Sequence, residues 1–240
     1  MASLQSFSSL VAVVPAAGVG KRMESTCPKQ YLKINGLTIL EHSVLKLLSH
    51  PDIAQVILVI SEGDEYFTGT SLATHSDIII VYGGNERVDS VLAGLKAVDE
   101  TKNHWVLVHD AARPCLESKD IDALITSCRK TNHGGILASL VRDTMKSSDS
   151  KLQVTGTVER SILWHALTPQ MFETKLLINA IEQALVDKAL VTDESSAIEH
   201  VGLPSLLVAG SSENIKITRP EDLALAAFYL TRINKDNLCE

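Results

Sequence analysis

The sequence predicts an α/β fold: a mostly parallel sheet flanked by helices, with a β-arm protruding from it. Three observations carry this expectation. Short apolar runs alternate with segments whose apolar residues recur at helical spacing, the order of a parallel sheet covered on both faces. The strand-like runs are apolar throughout, as in strands buried on both sides. One polar stretch, 141–160, breaks the rhythm and has the form of two extended arms about a turn.

The elements follow in order. Residues 10–14 form a short apolar run that ends at Pro15, a buried strand. Thr38 and Glu41 have capping-box spacing, and Leu40, Val44, Leu47 and Leu48 continue as a helix. Residues 56–60 and 78–81 are β-branched and read as strands. Val88, Val91, Leu92, Leu95 and Val98 fall on one helical face. Trp105–Val108 is a strand, Ile121, Leu124 and Ile125 belong to a helix after Ser118, and 136–141 is a further strand. In the polar stretch, 147–151 reads as the turn. An isolated two-stranded hairpin is marginal in water, so the arm is expected to pack on its own domain or on a partner subunit. Leu176, Leu177, Ala180, Ile181 and Ala184 mark another helix. Thr218 and Glu221 suggest a second capping box, with Pro220 in the first turn and Leu223, Ala226, Ala227 and Leu230 on the apolar face. Trp105 and Trp164 are expected in the core, and His109 and His165 as packed or hydrogen-bonded residues. No repeat, linker or low-complexity segment divides the chain, so a single domain over 1–240, with its arm at about 141–160, is expected.

Composition narrows the function. The 22 Lys and Arg against 29 Asp and Glu give a net charge of −7. Such a chain is not built to coat nucleic acid or an anionic membrane, so any phosphate must be held by a local basic cluster. No apolar run approaches the ~20 residues of a membrane span. Residues 1–10 contain no Lys or Arg, so a short tail is expected there rather than a signal peptide. Cys27, Cys115, Cys128 and Cys239 form no C-x-x-C pair and no zinc spacing, which suits reduced thiols in the cytoplasm.

In parallel sheets, ligands sit at the carboxyl ends of strands. Three loops there carry candidate chemistry. The first is Pro15-Ala16-Ala17-Gly18-Val19-Gly20-Lys21-Arg22-Met23, whose small residues let backbone amides approach an anion, or simply form a tight turn. Arg22 stands where a P-loop needs Ser or Thr, and Met23 where a dinucleotide fingerprint needs its third Gly. Lys29 follows closely enough to reach the same ligand, or is a solvated lysine. The second loop holds Gly83, Gly84 and Asn85 before a helix carrying Ser90; it suits a flat base or an ordinary strand-to-helix turn. The third is His109-Asp110-Ala111-Ala112-Arg113-Pro114, where Asp110 suits Mg²⁺ or a ribose, or pairs structurally with Arg113.

Taken together, eight segments in order resemble one family, the 2-C-methyl-D-erythritol 4-phosphate cytidylyltransferases. They are PAAGVGKRM, PKQY, GGNERVDSVLAGL, HDAARP, VRDTMK, WHALTPQ, TDESSA and NIKITRPEDL, running from Pro15 to Leu223. The resemblance implies a Rossmann-like nucleotidyltransferase sheet and transfer of a cytidylyl group from CTP to a sugar-alcohol phosphate. It implies that the Ala16, Ala17 and Gly18 backbone and Lys29 hold the triphosphate, and that Arg22 and Lys29 stabilise charge at the α-phosphate. It assigns cytosine to Gly84 and Ser90, with Asn85 near the base or ribose in place of an acidic residue found in some relatives. It puts Asp110 at the ribose, the Mg²⁺ or the acceptor; otherwise Mg²⁺ is held by the CTP phosphates. Arg113, Thr144, Arg160, Thr168 and Thr192 would bind the acceptor, and Lys216 would order the phosphates. A homodimer through the arm is implied, and no nucleic acid or membrane partner. Ribitol 5-phosphate as acceptor, a dinucleotide-dependent oxidoreductase and an idle nucleotide-binding subunit are the competing readings.

Overall fold

A computed structural model describes residues 9–18 and 27–236, the last three by backbone alone. The elements are β1 (Leu10–Pro15), β2 (Lys33–Ile34), β3 (Leu37–Thr38), α1 (Ile39–Leu48), β4 (Ile53–Ile60), β5 (Ile78–Tyr82), α2 (Arg87–Lys96) and β6 (Trp105–Val108). They continue with α3 (Ser118–Thr131), β7 (Gly135–Leu140), β8 (Met145–Ser148), β9 (Val154–Val158), β10 (Trp164–Glu173), α4 (Thr174–Val186), α5 (Glu194–His200), β11 (Leu206–Ala209) and α6 (Pro220–Asp236).

Seven strands form one sheet in the order β11-β7-β10-β6-β1-β4-β5. All pairs are parallel except those of β10, which runs antiparallel to both β6 and β7. Successive side chains of a strand point to opposite faces, and the apolar residues divide accordingly. Ala12, Val14, Val56, Leu58 and Leu107 pack with α1 and α3 on one face. Val11, Val13, Ile57, Val59 and Val106 pack with α2, α4 and α5 on the other. Gly94 lets α2 lie close to the sheet: a Cβ there would meet Val13 Cγ1 at 2.5 Å and Val59 Cγ2 at 2.8 Å. A third cluster seats Ala226 and Leu230 of α6 on Ile34, Ile39 and Ile217.

The α1 capping box forms as its spacing predicts. Glu41 Oε2 accepts from the Thr38 backbone and hydroxyl at 2.7 Å each, and Oε1 accepts from the Ser71 backbone and hydroxyl. Burial alone would raise the pKa of this carboxyl, but these hydrogen bonds outweigh it and hold it at about 2.

Several expectations need correction. The α6 cap lies one residue later than predicted. Pro220 opens the helix, so Asp222 rather than Glu221 accepts from the Thr218 and Arg219 N–H groups. The arm turn begins at Asp149, whose carboxylate accepts from Lys151 and Gln153 N–H; Ser147 and Ser148 are strand residues. Neither tryptophan is fully buried: Trp105 is half-buried and packs against the core, Trp164 is half-buried outside it, and His165 is exposed. The strands β10 and β11 and the helix α5 escape the pattern. Pro169 sits inside β10 and gives the ladder no N–H, and the pairing with β7 shifts between Ala166 and Gln170.

The hairpin β8–β9 pairs only with itself, and its Leu152 and Val154 are 87% and 66% exposed. Cys115 and Cys128 are buried free thiols; Cys239 lies outside the described residues, as does most of the predicted N-terminal tail. Among the described residues no helix is long and apolar enough to cross a membrane.

Candidate functional site

An open cavity of about 670 Å³ lies at the carboxyl end of the parallel strands, where the loops after β1, β5 and β6 meet. The loop after β1 is held by its carbonyls. Gln30 Nε2 donates to Ala16 O at 2.8 Å and to Gly18 O at 3.1 Å, and Ser61 Oγ donates to Ala17 O at 2.7 Å. A trans peptide turns its N–H opposite to its carbonyl, so the Ala17 and Gly18 amides face away from these partners, an arrangement suited to an anion. Lys29 and Gln30 sit on a 3₁₀ turn, Lys29–Tyr31. Tyr31 pins that turn by stacking on Tyr66 at 5.4 Å and donating to Asp64 Oδ2 at 2.6 Å. Lys29 Nζ lines the cavity and donates to Ile217 O at 2.8 Å.

The opposite wall is Gly84, Asn85 and the buried Ser90. The backbone comes close here: a Cβ on Gly83 would meet Ser90 Oγ at 2.5 Å, and one on Gly84 would meet Asp89 Cβ at 2.4 Å. A side chain at either position would displace the turn that forms the wall.

A second cavity, about 520 Å³, adjoins the first and is lined by Arg113, Thr168, Gln170, Thr192 and Asp193. Arg87, Asp110 and Lys216 line both. Asp110 is the centre of this junction. Its Oδ1 accepts from Arg87 Nε at 3.1 Å and lies 3.0 Å from Nη2. Its Oδ2 is 2.8 Å from Lys216 Nζ and 3.5 Å from Arg113 Nε. Burial would raise its pKa, but Arg87, Lys216 and Arg113 hold it far below the usual carboxylate range. Arg87 grips a second buried carboxylate, Glu194, at 2.8 and 3.3 Å. Burial pushes the Glu194 carboxyl upward, against the pull of Arg87. Three cations, Arg87, Arg113 and Lys216, meet two carboxylates there, and a third carboxylate, Asp193, is close enough to act on Glu194.

His109 steadies the loop. Its Nε2 lies 3.1 Å from Arg113 O, a pure acceptor, so that nitrogen carries the proton. Nδ1 then accepts from the Thr168 hydroxyl at 3.0 Å, and Thr168 Oγ1 accepts from the Asp110 N–H at 3.0 Å. Arg113 is fixed by Asn214 O at 2.7 Å and Ala166 O at 3.3 Å.

The structure therefore brings Ala16, Ala17, Gly18, Lys29, Gly84, Asn85, Ser90, Asp110 and Lys216 to the first cavity, and Asp110, Arg113, Thr168 and Thr192 to the second. Thr144 and Arg160 are not brought to either. Both are exposed at the base of the arm, where Arg160 Nη1 donates to Arg142 O. Arg22, with Val19, Gly20, Lys21 and Met23, lies outside the described residues. Sequence reasoning gave no role to Gln30, Arg87, Gln170, Glu194 or Asn214. Arg87 carried a signal, a charge opening a helix after two glycines at a strand end. Glu194 did not, since an acid in a first helical turn reads as a cap. Among the described residues no three His, Cys, Asp or Glu side chains cluster as a metal site.

The family model described as IspD, 2-C-methyl-D-erythritol 4-phosphate cytidylyltransferase, matches residues 10–232. The chain is 60% identical over 230 residues to the protein of that name from Colwellia psychrerythraea, covering 92% of this chain and 95% of that one. It is 55% identical to the one from Vibrio vulnificus, covering 95% and 97%. Its fold is similar to the 4-diphosphocytidyl-2C-methyl-D-erythritol synthase structure from Anaerococcus prevotii, with a TM-score of 0.81, 32% identity, and 93% and 96% coverage. The Francisella tularensis cytidylyltransferase structure gives a TM-score of 0.77 at 35% identity, with 92% and 100% coverage.

The His109 network makes a pH prediction. Burial pushes this imidazole down from 6.5 to about 4, so the folded chain keeps it neutral where the unfolded chain protonates it. Its contribution to stability is complete above about pH 6.5 and is lost as pH falls towards 4, by about 3 kcal/mol in all. Nitrogen-15 spectra of the imidazole should show a neutral ring with the proton on Nε2 down to about pH 5. A ring that titrates near pH 6.5 would contradict the network.

Proposed function

The chain belongs to the family of 2-C-methyl-D-erythritol 4-phosphate cytidylyltransferases, and from that premise we propose how its residues transfer the cytidylyl group of CTP to 2-C-methyl-D-erythritol 4-phosphate. The products are 4-diphosphocytidyl-2-C-methyl-D-erythritol and pyrophosphate, in the methylerythritol phosphate route to isoprenoids. The observation that carries the assignment of roles is the cationic junction of Arg87, Asp110 and Lys216 between a glycine-walled cavity and a second polar one.

An acceptor phosphate oxygen attacks the α-phosphorus of CTP in line with the leaving pyrophosphate. The new P–O bond forms as the bond to the bridging α–β oxygen breaks. A phosphate monoester has its second pKa near 6, so the nucleophile is already ionised and no general base is required. This accounts for a site whose ligand-facing groups are cations and backbone amides. The task is to bring two anions together and stabilise the charge that shifts onto the leaving group. The Ala17 and Gly18 amides and Lys29 hold the triphosphate, the Ala16 N–H being taken by Val59 O at 2.7 Å, and Arg22 and Lys29 stabilise charge around the α-phosphorus. Gly84 and Ser90 read cytosine, and Asn85 contacts the base or ribose. Arg113, Thr168 and Thr192 form the acceptor wall, with Thr168 acting through the loop it holds. Lys216 leaves Asp110 Oδ2 for the phosphates when they arrive, which frees that oxygen.

Magnesium suits this donor set only as an ion carried mainly by the triphosphate. Asp110 offers it a hard carboxylate oxygen, and when bound it neutralises phosphate charge. One nucleotidyltransferase domain carries these roles, and its buried thiols at Cys115 and Cys128 suit a cytoplasmic enzyme.

The arm completes the site as a dimer contact. Thr144 and Arg160 line neither cavity of their own chain, the hairpin exposes Leu152 and Val154, and the turn after it exposes Ile162. A second copy of the chain covers these side chains and receives Thr144 and Arg160 at its acceptor site.

Pyrophosphate release with CTP and Mg²⁺ tests the reaction. Release is expected with methylerythritol 4-phosphate and not with ribitol 5-phosphate or without acceptor; release only with ribitol phosphate would overturn the acceptor. Lys29→Ala and Arg22→Ala should each lower kcat by about 10²–10³-fold, and near-normal kcat in both would remove their role. Light scattering should give a dimer that deletion of 149–152 weakens, together with a higher acceptor KM. A wild-type monomer at assay concentration would contradict the shared site.

A further inference from the structure

We infer that Glu194 is a positioning residue: it fixes Arg87 at the junction of the two cavities and so sets the placement of Asp110 for the transfer. This rests on reading the cavities as the nucleotide and acceptor sites.

Glu194 is 1% exposed and lines neither cavity. Any influence it has on bound ligands must pass through what it touches, and its side chain holds the guanidinium of Arg87. Arg87 Nη1 and Nη2 each take one Glu194 oxygen, at 2.8 and 3.3 Å, while Nε and Nη2 face Asp110 Oδ1. A planar guanidinium held along two edges cannot rotate or swing towards a phosphate. Arg87 is itself partly exposed to both cavities, with 30% of its side chain accessible. Free of Glu194, it would be drawn to the triphosphate and would let Asp110 shift.

The anchor is built from β10. Gln170 Oε1 accepts from Ser195 N–H at 2.9 Å, and Gln170 Nε2 donates to Asp193 Oδ2 at 2.9 Å. Asp193 in turn accepts from Ser196 N–H at 2.9 Å. These bonds fix the backbone on both sides of Glu194 to the strand that also carries Thr168. Thr168 holds the Asp110 N–H, so Asp110 is located from its backbone by Thr168 and from its carboxylate through Glu194 and Arg87.

The test is a mutant cycle of Glu194→Gln and Arg87→Met, with kcat, KM for each substrate, CTP dissociation constant and melting temperature measured for each folded protein. Glu194→Gln should lower kcat by roughly 10–100-fold and leave the CTP dissociation constant within about threefold. In the Arg87→Met background the same change should have no further effect on kcat, because its route to the site is gone. A purely structural role would not produce that loss of effect. If Glu194→Gln does not fold, Glu194→Asp carries the test: it keeps the charge, shortens the reach, and should lower kcat only when Arg87 is present. A kcat within about threefold of wild type, or a double mutant that falls by the product of the single effects, would overturn the inference. Wild-type protein that releases no pyrophosphate would instead overturn the functional reading beneath it.

Discussion

The buried carboxylate of Asp110 is the constraint on which the site depends. An ionised group taken from water costs several kcal/mol unless charge and hydrogen bonds replace the lost hydration. Here the replacement is three cations from three parts of the chain: Arg87 at the start of α2, Arg113 in the loop after β6, and Lys216 between β11 and α6. Each cation then needs its own support. Arg87 requires Glu194, Arg113 requires the carbonyls of Ala166 and Asn214, and Asn214 donates to Thr168 O at 2.7 Å. The loops that wall both cavities are thus tied to one carboxylate.

The same arrangement explains why the chemistry needs so little else. An acceptor that is already ionised asks for position and charge neutralisation, and the junction presents Arg87 and Lys216 to both cavities. The glycine-walled side is built for backbone contact, since Gly83 and Gly84 have no space for a Cβ. The other side is polar, lined by Arg113, Thr168, Gln170, Thr192 and Asp193. The exposed apolar tip of the arm is hard to account for in a lone chain, because an exposed apolar patch on a soluble protein marks a contact surface.

Much of the fold was legible in the sequence because strands buried on both faces leave continuous apolar runs, and amphipathic helices leave a 3.6-residue period. The strands β1, β4, β6 and β7 and the helices α1 to α4 follow that rule, whereas β5 is an apolar run at the sheet edge with Ile79, Ile80 and Tyr82 exposed. The strand β10 does not, because its residues serve the site: Thr168, Pro169 and Gln170 stand where a core strand would carry valines. The candidate site was legible to the extent that its residues lie in strand-end loops. Asp110 and Gly84 do, Lys29 lies on the 3₁₀ turn that follows such a loop, and Ser90 in the first turn of the helix after one. Glu194 and Gln170 act across 107 and 25 residues of chain, on Arg87 and Ser195, and local spacing holds no record of such partners. Thr144 and Arg160 share one exposed chain segment and line neither of the two cavities among the described residues.

The most direct measurement of the account is cytidylyl transfer by Asp110→Asn, with CTP binding followed in parallel. Asparagine keeps the shape and removes the charge that organises Arg87, Lys216 and Arg113. The account predicts folded protein that still binds CTP, with kcat lowered by about 10²-fold or more. A kcat within about threefold of wild type would contradict it, because the cations would then hold their places without the carboxylate at their centre.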